Sequence, residues 1–77
     1  MTDIHTKHLE LVHAVNAATT KEEHQIAEAR LRGFREAAEA IGQNVGLMMM
    51  AADMHYIDQG IDRPMCCGVF LDWSPSR

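Results

Sequence analysis

Apolar residues recur at helical spacing along most of the chain, in two stretches separated by a Thr-Thr pair. The first stretch follows alternating steps of four and three from Ile4 to Ala18, and it contains neither glycine nor proline. Steps of this kind place apolar side chains on one face of an α-helix. The pattern predicts helix 1 over about residues 3–18, with Thr2 or Asp3 as its N-cap.

The second stretch carries the stronger signal. It begins with Thr20-Lys21-Glu22-Glu23, a capping-box pattern that marks the start of a helix. Ten positions then alternate steps of three and four: His24, Ala27, Leu31, Phe34, Ala38, Ile41, Val45, Met48, Ala52 and His55. This heptad seam predicts helix 2 over about residues 21–59, ending before Gly60 as the C′ residue.

Two glycines, Gly42 and Gly46, interrupt the predicted helix 2. Each costs about 1 kcal/mol relative to alanine in a helix interior. Close approach of another helix would explain them, and so would a kink or a break. The apolar stretch between Glu39 and Asp53 is shorter than the roughly 20 residues that cross a bilayer, so we expect no membrane span.

The C-terminal segment is apolar and carries β-leaning residues. Arg63-Pro64 favours extended backbone, and the sequence continues as MCCGVFLDWSPSR. We expect an ordered tail over about residues 61–77, either as a strand or packed on the helices, because free apolar residues reduce solubility. The predicted fold is all-α, in one domain over residues 1–77: a helical hairpin of short helix 1 and long helix 2, followed by this tail.

The unequal helix lengths predict a second chain. Helix 1 covers only the first half of helix 2, and the second half is apolar on more than one face, with a second stripe that includes Leu47, Ala51 and Met54. We therefore expect a homodimer whose long helices form a bundle, with Asn44 as a buried residue that fixes register. The residues predicted to self-associate are Phe34, Ile41, Val45, Met48 and Ala52. A three-helix monomer, broken at Gly42–Gly46, is the alternative.

Charge and cysteine content narrow the function. The net charge is −4, from 7 basic and 11 acidic residues, which argues against nucleic-acid binding. The only cysteines, Cys66 and Cys67, are adjacent and cannot staple distant segments. The first residues lack the apolar core of a secretory signal, so we expect a cytoplasmic protein.

The methionine-rich segment LMMMAADM fits either a dimer core or an adaptable groove for a partner protein. The residues predicted to contact a partner are Met49, Met50, Met54, Phe70 and Trp73. Methionine, histidine and cysteine also favour copper and zinc, although no zinc-ligand spacing is present. The histidines on the apolar stripes suggest pH-sensitive stability, with ordinary boundary residues as the alternative.

No catalytic motif occurs, so we expect no enzyme and no cofactor. The sequence predicts a small non-enzymatic interaction protein: a homodimeric regulator, adaptor or inhibitor that binds a protein partner. The alternative is a copper- or zinc-binding protein with Met, His and Cys ligands.

Overall fold

The computed structural model describes residues 3–74. Three helices, α1 (Ile4–Ala17), α2 (Lys21–Ala40) and α3 (Val45–Asp58), precede two short strands, β1 (Met65–Cys66) and β2 (Val69–Phe70). Of the described residues, 67% are helical, so the all-α class is confirmed in broad terms. The tail is ordered as a small antiparallel hairpin, whereas Thr2 and the predicted tail residues 75–77 lie outside the described part.

The single helix predicted over residues 21–59 is instead two helices, α2 and α3. The prediction of a hairpin of one short and one long helix is therefore wrong. Gly42 has φ 89°, in the left-handed region that glycine adopts without steric cost. Its N–H donates to the carbonyl of Glu39 and that of Gln43 to Ala38, both at 3.0 Å, which is the Schellman pattern that ends a helix. The chain therefore turns within the predicted seam.

Asn44 is the N-cap of α3 and is exposed in the single chain, and its role as a buried residue that fixes register in a dimer stays a prediction. Its side-chain oxygen accepts a hydrogen bond from the N–H of Leu47 at 3.1 Å, as an N-cap does. A second Schellman pattern ends α3 with Gly60 at φ 78°, which confirms the predicted C′ glycine. Gly42 and Asn44 together thus account for the break.

The N-caps predicted from the sequence at Asp3 and Thr20 are confirmed. Asp3 caps α1 by accepting from the N–H of His5 at 3.2 Å. Thr20 caps α2 by accepting from the N–H of Glu23 at 3.1 Å. The Glu23 carboxylate reaches back to Thr19, whose N–H and hydroxyl both donate to it at 3.1 Å. Local sequence therefore determines where each of these helices begins.

All three helices and β2 share one core. Its buried members are Val12, Val15, Ala27, Leu31, Ala52, Tyr56 and Phe70. Met48 and Ala38 are buried as well, at 1% and 3% exposure. The three-helix alternative therefore describes how the chain folds on itself, and the homodimer stays a prediction.

The hairpin tip is inserted between α1 and α3. Cys67 and Gly68 form its two-residue loop with φ values of 58° and 84°, the left-handed pair of a type I′ turn. A Cβ on Gly68 would lie 2.7 Å from the Cβ of Ala52 and 3.1 Å from a methyl of Val12. Only glycine fits here, so the tip position depends on Gly68.

Candidate functional site

Helix α3 has two apolar faces, and only one of them is covered. The inner face supplies Met48, Ala52 and Tyr56 to the interior of the chain. The opposite face carries four large apolar residues at steps of three, four and three, each more than half exposed: Leu47 at 54%, Met50 at 62%, Met54 at 54% and Ile57 at 55%. We call these four residues the outer face of α3. A continuous exposed apolar stripe of this kind is typical of an interaction surface.

Small residues flank the outer face on α3, and an acidic residue lies at its C-terminal end. Gly46 and Ala51 lie beside the stripe and are exposed, so a second helix can approach closely here. Asp58 is exposed at the C-terminal end, and α3 contains neither lysine nor arginine. The outer face thus lies on a helix whose acidic residues, Asp53 and Asp58, are not balanced by lysine or arginine within the helix.

Tyr56 fixes the inner face of α3 against α1. Its hydroxyl lies 2.5 Å from Nδ1 of His13 and accepts a hydrogen bond from the side-chain amide of Asn16 at 3.0 Å. Its ring packs on Phe70 with 5.2 Å between centroids. Burial raises the pKa of Tyr56 and lowers that of His13, and the nearby His55 lowers the latter further. This anchoring turns the opposite side of the helix outward.

The hairpin tip is held by a polar side chain from each helix. From α1, Asn16 donates to the carbonyl of Gly68 at 2.8 Å and accepts from the N–H of Phe70 at 3.0 Å. From α2, Arg35 donates to the carbonyl of Cys67 at 3.1 Å. From α3, the Asp53 carboxylate accepts from the N–H of Gly68. The tip therefore ties the three helices together.

Arg35 also contacts His8, which is 1% exposed. The Arg35 Nε donates to Nε2 of His8 at 3.0 Å, so this nitrogen carries a lone pair and no proton. Burial, helped by the charges of Arg35 and His5, lowers the pKa of His8 to about 4. His8 is thus a neutral core residue rather than a candidate acid or base.

Cys66 and Cys67 are both free thiols, with 3.6 Å between their sulfur atoms. Cys66 is exposed and Cys67 half-buried. Burial raises the pKa of Cys67, as do its hydrogen bond to Cys66 and the nearby charges of Cys66 and Asp53, against the opposing charge of Arg35. Within residues 3–74, no three His, Cys, Asp or Glu side chains gather into a metal-binding group.

The residues predicted for self-association do not form one surface. Met48 and Ala52 lie in the chain's own interior, at 1% and 2% exposure. Phe34 and Val45 are half-buried, and only Ile41, at 73%, is widely exposed, at the turn between α2 and α3. Their role in a dimer stays a prediction, and the structure offers the outer face of α3 as a different surface.

The residues predicted for partner contact also separate. Met50 and Met54 lie on the outer face, whereas Met49 is half-buried beside a groove between α2 and α3. Phe70 is buried in the core. Trp73 stacks on His24 with 3.8 Å between ring centroids, and its indole N–H donates to the carbonyl of Ala18 at 2.9 Å. Phe70 and Trp73 therefore dock the tail onto the helices.

Leu47 and Met54 were predicted to share a second stripe, and Met50 and Met54 to contact a partner, but Ile57 was not predicted to join them. The signal was present, because residues 47, 50, 54 and 57 follow heptad steps of their own. The longer seam through residues 24–55 instead favoured residues of the inner face as the interaction surface.

Comparison with protein-family models, with curated proteins and with solved structures finds no match to this chain. In the part of the chain described, every helix is too short or too polar to cross a membrane.

Proposed function

We propose that the chain is a small non-enzymatic interaction protein that acts as a homodimeric regulator, adaptor or inhibitor of a protein partner, and that the dimer forms through the outer face of α3. The observation that carries this proposal is the exposure of Leu47, Met50, Met54 and Ile57, all above one half. Covering these side chains removes apolar surface from water, at about 25 cal/mol for each Å².

A second copy of α3 fits this face in an antiparallel crossing. The stripe has heptad spacing, so two copies related by a two-fold axis present complementary knobs and gaps. Exposed Gly46 and Ala51 leave room for close approach. The crossing brings Asp58 of each copy towards the N-terminal end of the other α3, where the helix dipole favours a negative charge.

This dimer leaves a separate groove for a protein partner. The groove lies between α2 and α3, with Met49, Val45 and Val69 among its apolar lining residues. Arg32, Glu36 and Glu39 line it as well. Methionine adapts to irregular partner surfaces because its side chain is unbranched and polarizable.

The experiment compares two single charge substitutions by sedimentation velocity. Met50→Glu places a carboxylate in the centre of the outer face, and we expect it to turn the dimer into a monomer with unchanged circular dichroism. Ile26→Glu is the matched control, because Ile26 is also an apolar helix residue that is more than half exposed, at 54% against 62% for Met50, and it lies on α2 rather than α3. It should leave the dimer intact.

Equal dissociation by both variants would contradict the proposed interface, because the effect would then follow net charge rather than position. A parent chain that stays monomeric at all concentrations would contradict the dimer itself and leave the outer face to a helix of another protein.

A further inference from the structure

The thiols of Cys66 and Cys67 lie side by side at the hairpin tip. The backbone of Cys67 has a conformation that is unfavourable for cysteine. Cys67 has φ 58°, where a type I′ turn prefers asparagine, aspartate or glycine. A non-glycine residue in this region costs about 1 kcal/mol or more. The backbone therefore accepts a cysteine at a position where other residues suit the turn better.

The pair is poorly placed for a disulfide. Adjacent Cα atoms across a trans peptide lie about 3.8 Å apart, which is below the usual range of about 4.4–6.8 Å for disulfide-linked residues. The sulfur atoms lie 3.6 Å apart, well beyond a bond of about 2.0 Å. Two free thiols are thus the favoured state of the tip.

The same separation suits two sulfur ligands on one soft centre. With sulfur bonds of about 2.3 Å, a pyramidal or tetrahedral centre places its two sulfur ligands about 3.4–3.8 Å apart, and a linear one about 4.6 Å. The observed 3.6 Å falls within the first range. Soft thiolates select soft, thiophilic centres.

We propose that Cys66 and Cys67 form a two-thiolate chelating site for a trivalent arsenical, that is, arsenic(III) carrying one further substituent. Such a centre needs two protein ligands. The site offers two, since no third His, Cys, Asp or Glu joins them among the described residues. A tetrahedral zinc site needs three or four protein ligands.

The fold keeps the two thiols close. Arg35, Asp53 and Asn16 bind backbone atoms of Cys67 and Gly68 from three different helices. The charge of Arg35 interacts favourably with the thiolates of both cysteines when they form. Cys66 is exposed, so an arsenical reaches the pair from solvent without opening the core.

The binding step involves no change of oxidation state. An arsenoxide, R–As=O, reacts with two thiols so that two As–S bonds form and the As=O double bond breaks completely. The two thiol protons leave with the oxygen as one water molecule. No oxidant or reductant is needed.

The test adds one equivalent of phenylarsine oxide to the reduced full-length chain and measures intact mass and thermal unfolding. We expect one adduct, lighter than the sum of its parts by one water, that survives excess 2-mercaptoethanol. Because the ligand binds the folded tip, the unfolding midpoint should rise. Cys66→Ser and Cys67→Ser, with one thiol each, should lose the adduct to 2-mercaptoethanol and show no rise.

The urea-denatured chain is the control for simple adjacency, because it carries the same two cysteines without the hairpin. The folded chain should retain the adduct at least tenfold longer under the thiol challenge. Equal retention in the denatured chain, an unchanged or lower unfolding midpoint, or retention by either serine variant would overturn the proposal.

Discussion

His8 accepts a hydrogen bond from Arg35 in the interior between α1 and α2, with 3.0 Å between the two nitrogen atoms. The contact requires a neutral imidazole, because a protonated ring has no lone pair to offer. It also orients Arg35, whose other end holds the carbonyl of Cys67. The buried His8 and the half-buried Arg35 thus link the helices to the hairpin tip.

Stability is expected to fall as the pH is lowered from about 6.5 to about 4. The folded pKa of His8 is about 4 against an ordinary value of 6.5, so the unfolded chain binds the proton first and protonation favours unfolding. The His8 contribution is complete above pH 6.5 and amounts to about 3 kcal/mol, lost progressively towards pH 4. The lowered pKa of His13 acts in the same direction. Urea unfolding at a series of pH values measures the slope.

The control for this prediction is a pair of variants. His8→Gln should flatten the slope between pH 4 and 6.5, whereas His5→Gln should leave most of it, since His5 is exposed. An unchanged slope in His8→Gln would place the pH dependence elsewhere.

Asn16→Ala should destabilise the chain by about 3 kcal/mol. The substitution removes hydrogen bonds to the hydroxyl of Tyr56, the carbonyl of Gly68 and the N–H of Phe70, and each net bond contributes about 1 kcal/mol. Asn44→Ala, which removes an exposed N-cap, should cost only about 1 kcal/mol. Equal losses in urea unfolding would mean that the Asn16 contacts contribute little.

Alanine should have opposite effects at two glycines. Gly33 lies inside α2 with open space around it, so Gly33→Ala should stabilise by about 0.5–1 kcal/mol. Gly42 has φ 89°, so Gly42→Ala should destabilise by about 1 kcal/mol although no neighbour is crowded. A gain in thermal stability at both positions would indicate that the helix continues through residue 42.

Gly68→Ala should be more damaging than Gly42→Ala. The new methyl would lie 2.7 Å from the Cβ of Ala52, in addition to the unfavourable φ of 84°. We expect the free energy of unfolding to fall by about 3 kcal/mol or more. As the tail detaches, Trp73, the single tryptophan, should become more exposed to water, and its fluorescence emission should change. A stable variant with unchanged tryptophan emission would contradict the inserted tip.

The sequence predicted local features better than long-range ones. Asp3, Thr20 and Gly60 act through neighbouring backbone groups, so their caps were visible in the sequence. Gly42 and Asn44 also marked a helix end and a helix start, but the heptad seam continues in phase across them and favoured one long helix. The seam reflects that both α2 and α3 pack inward, which periodicity alone does not separate from one continuous helix.

The contacts of the tail could not be predicted, because they join residues far apart in sequence. Asn16 reaches Gly68, and Trp73 reaches Ala18, through bonds that no local pattern encodes. Phe70 was predicted to contact a partner, because the sequence does not show that it packs in the core of its own chain. The outer face of α3 was encoded in the spacing of residues 47–57, and it became separable only after the inner face had been located.

The most direct test of the proposed dimer is the molar mass of the parent chain by light scattering across a dilution series. We expect twice the mass of the chain at high concentration, falling towards the mass of one chain on dilution. A mass of one chain at every concentration would contradict self-association through the outer face of α3.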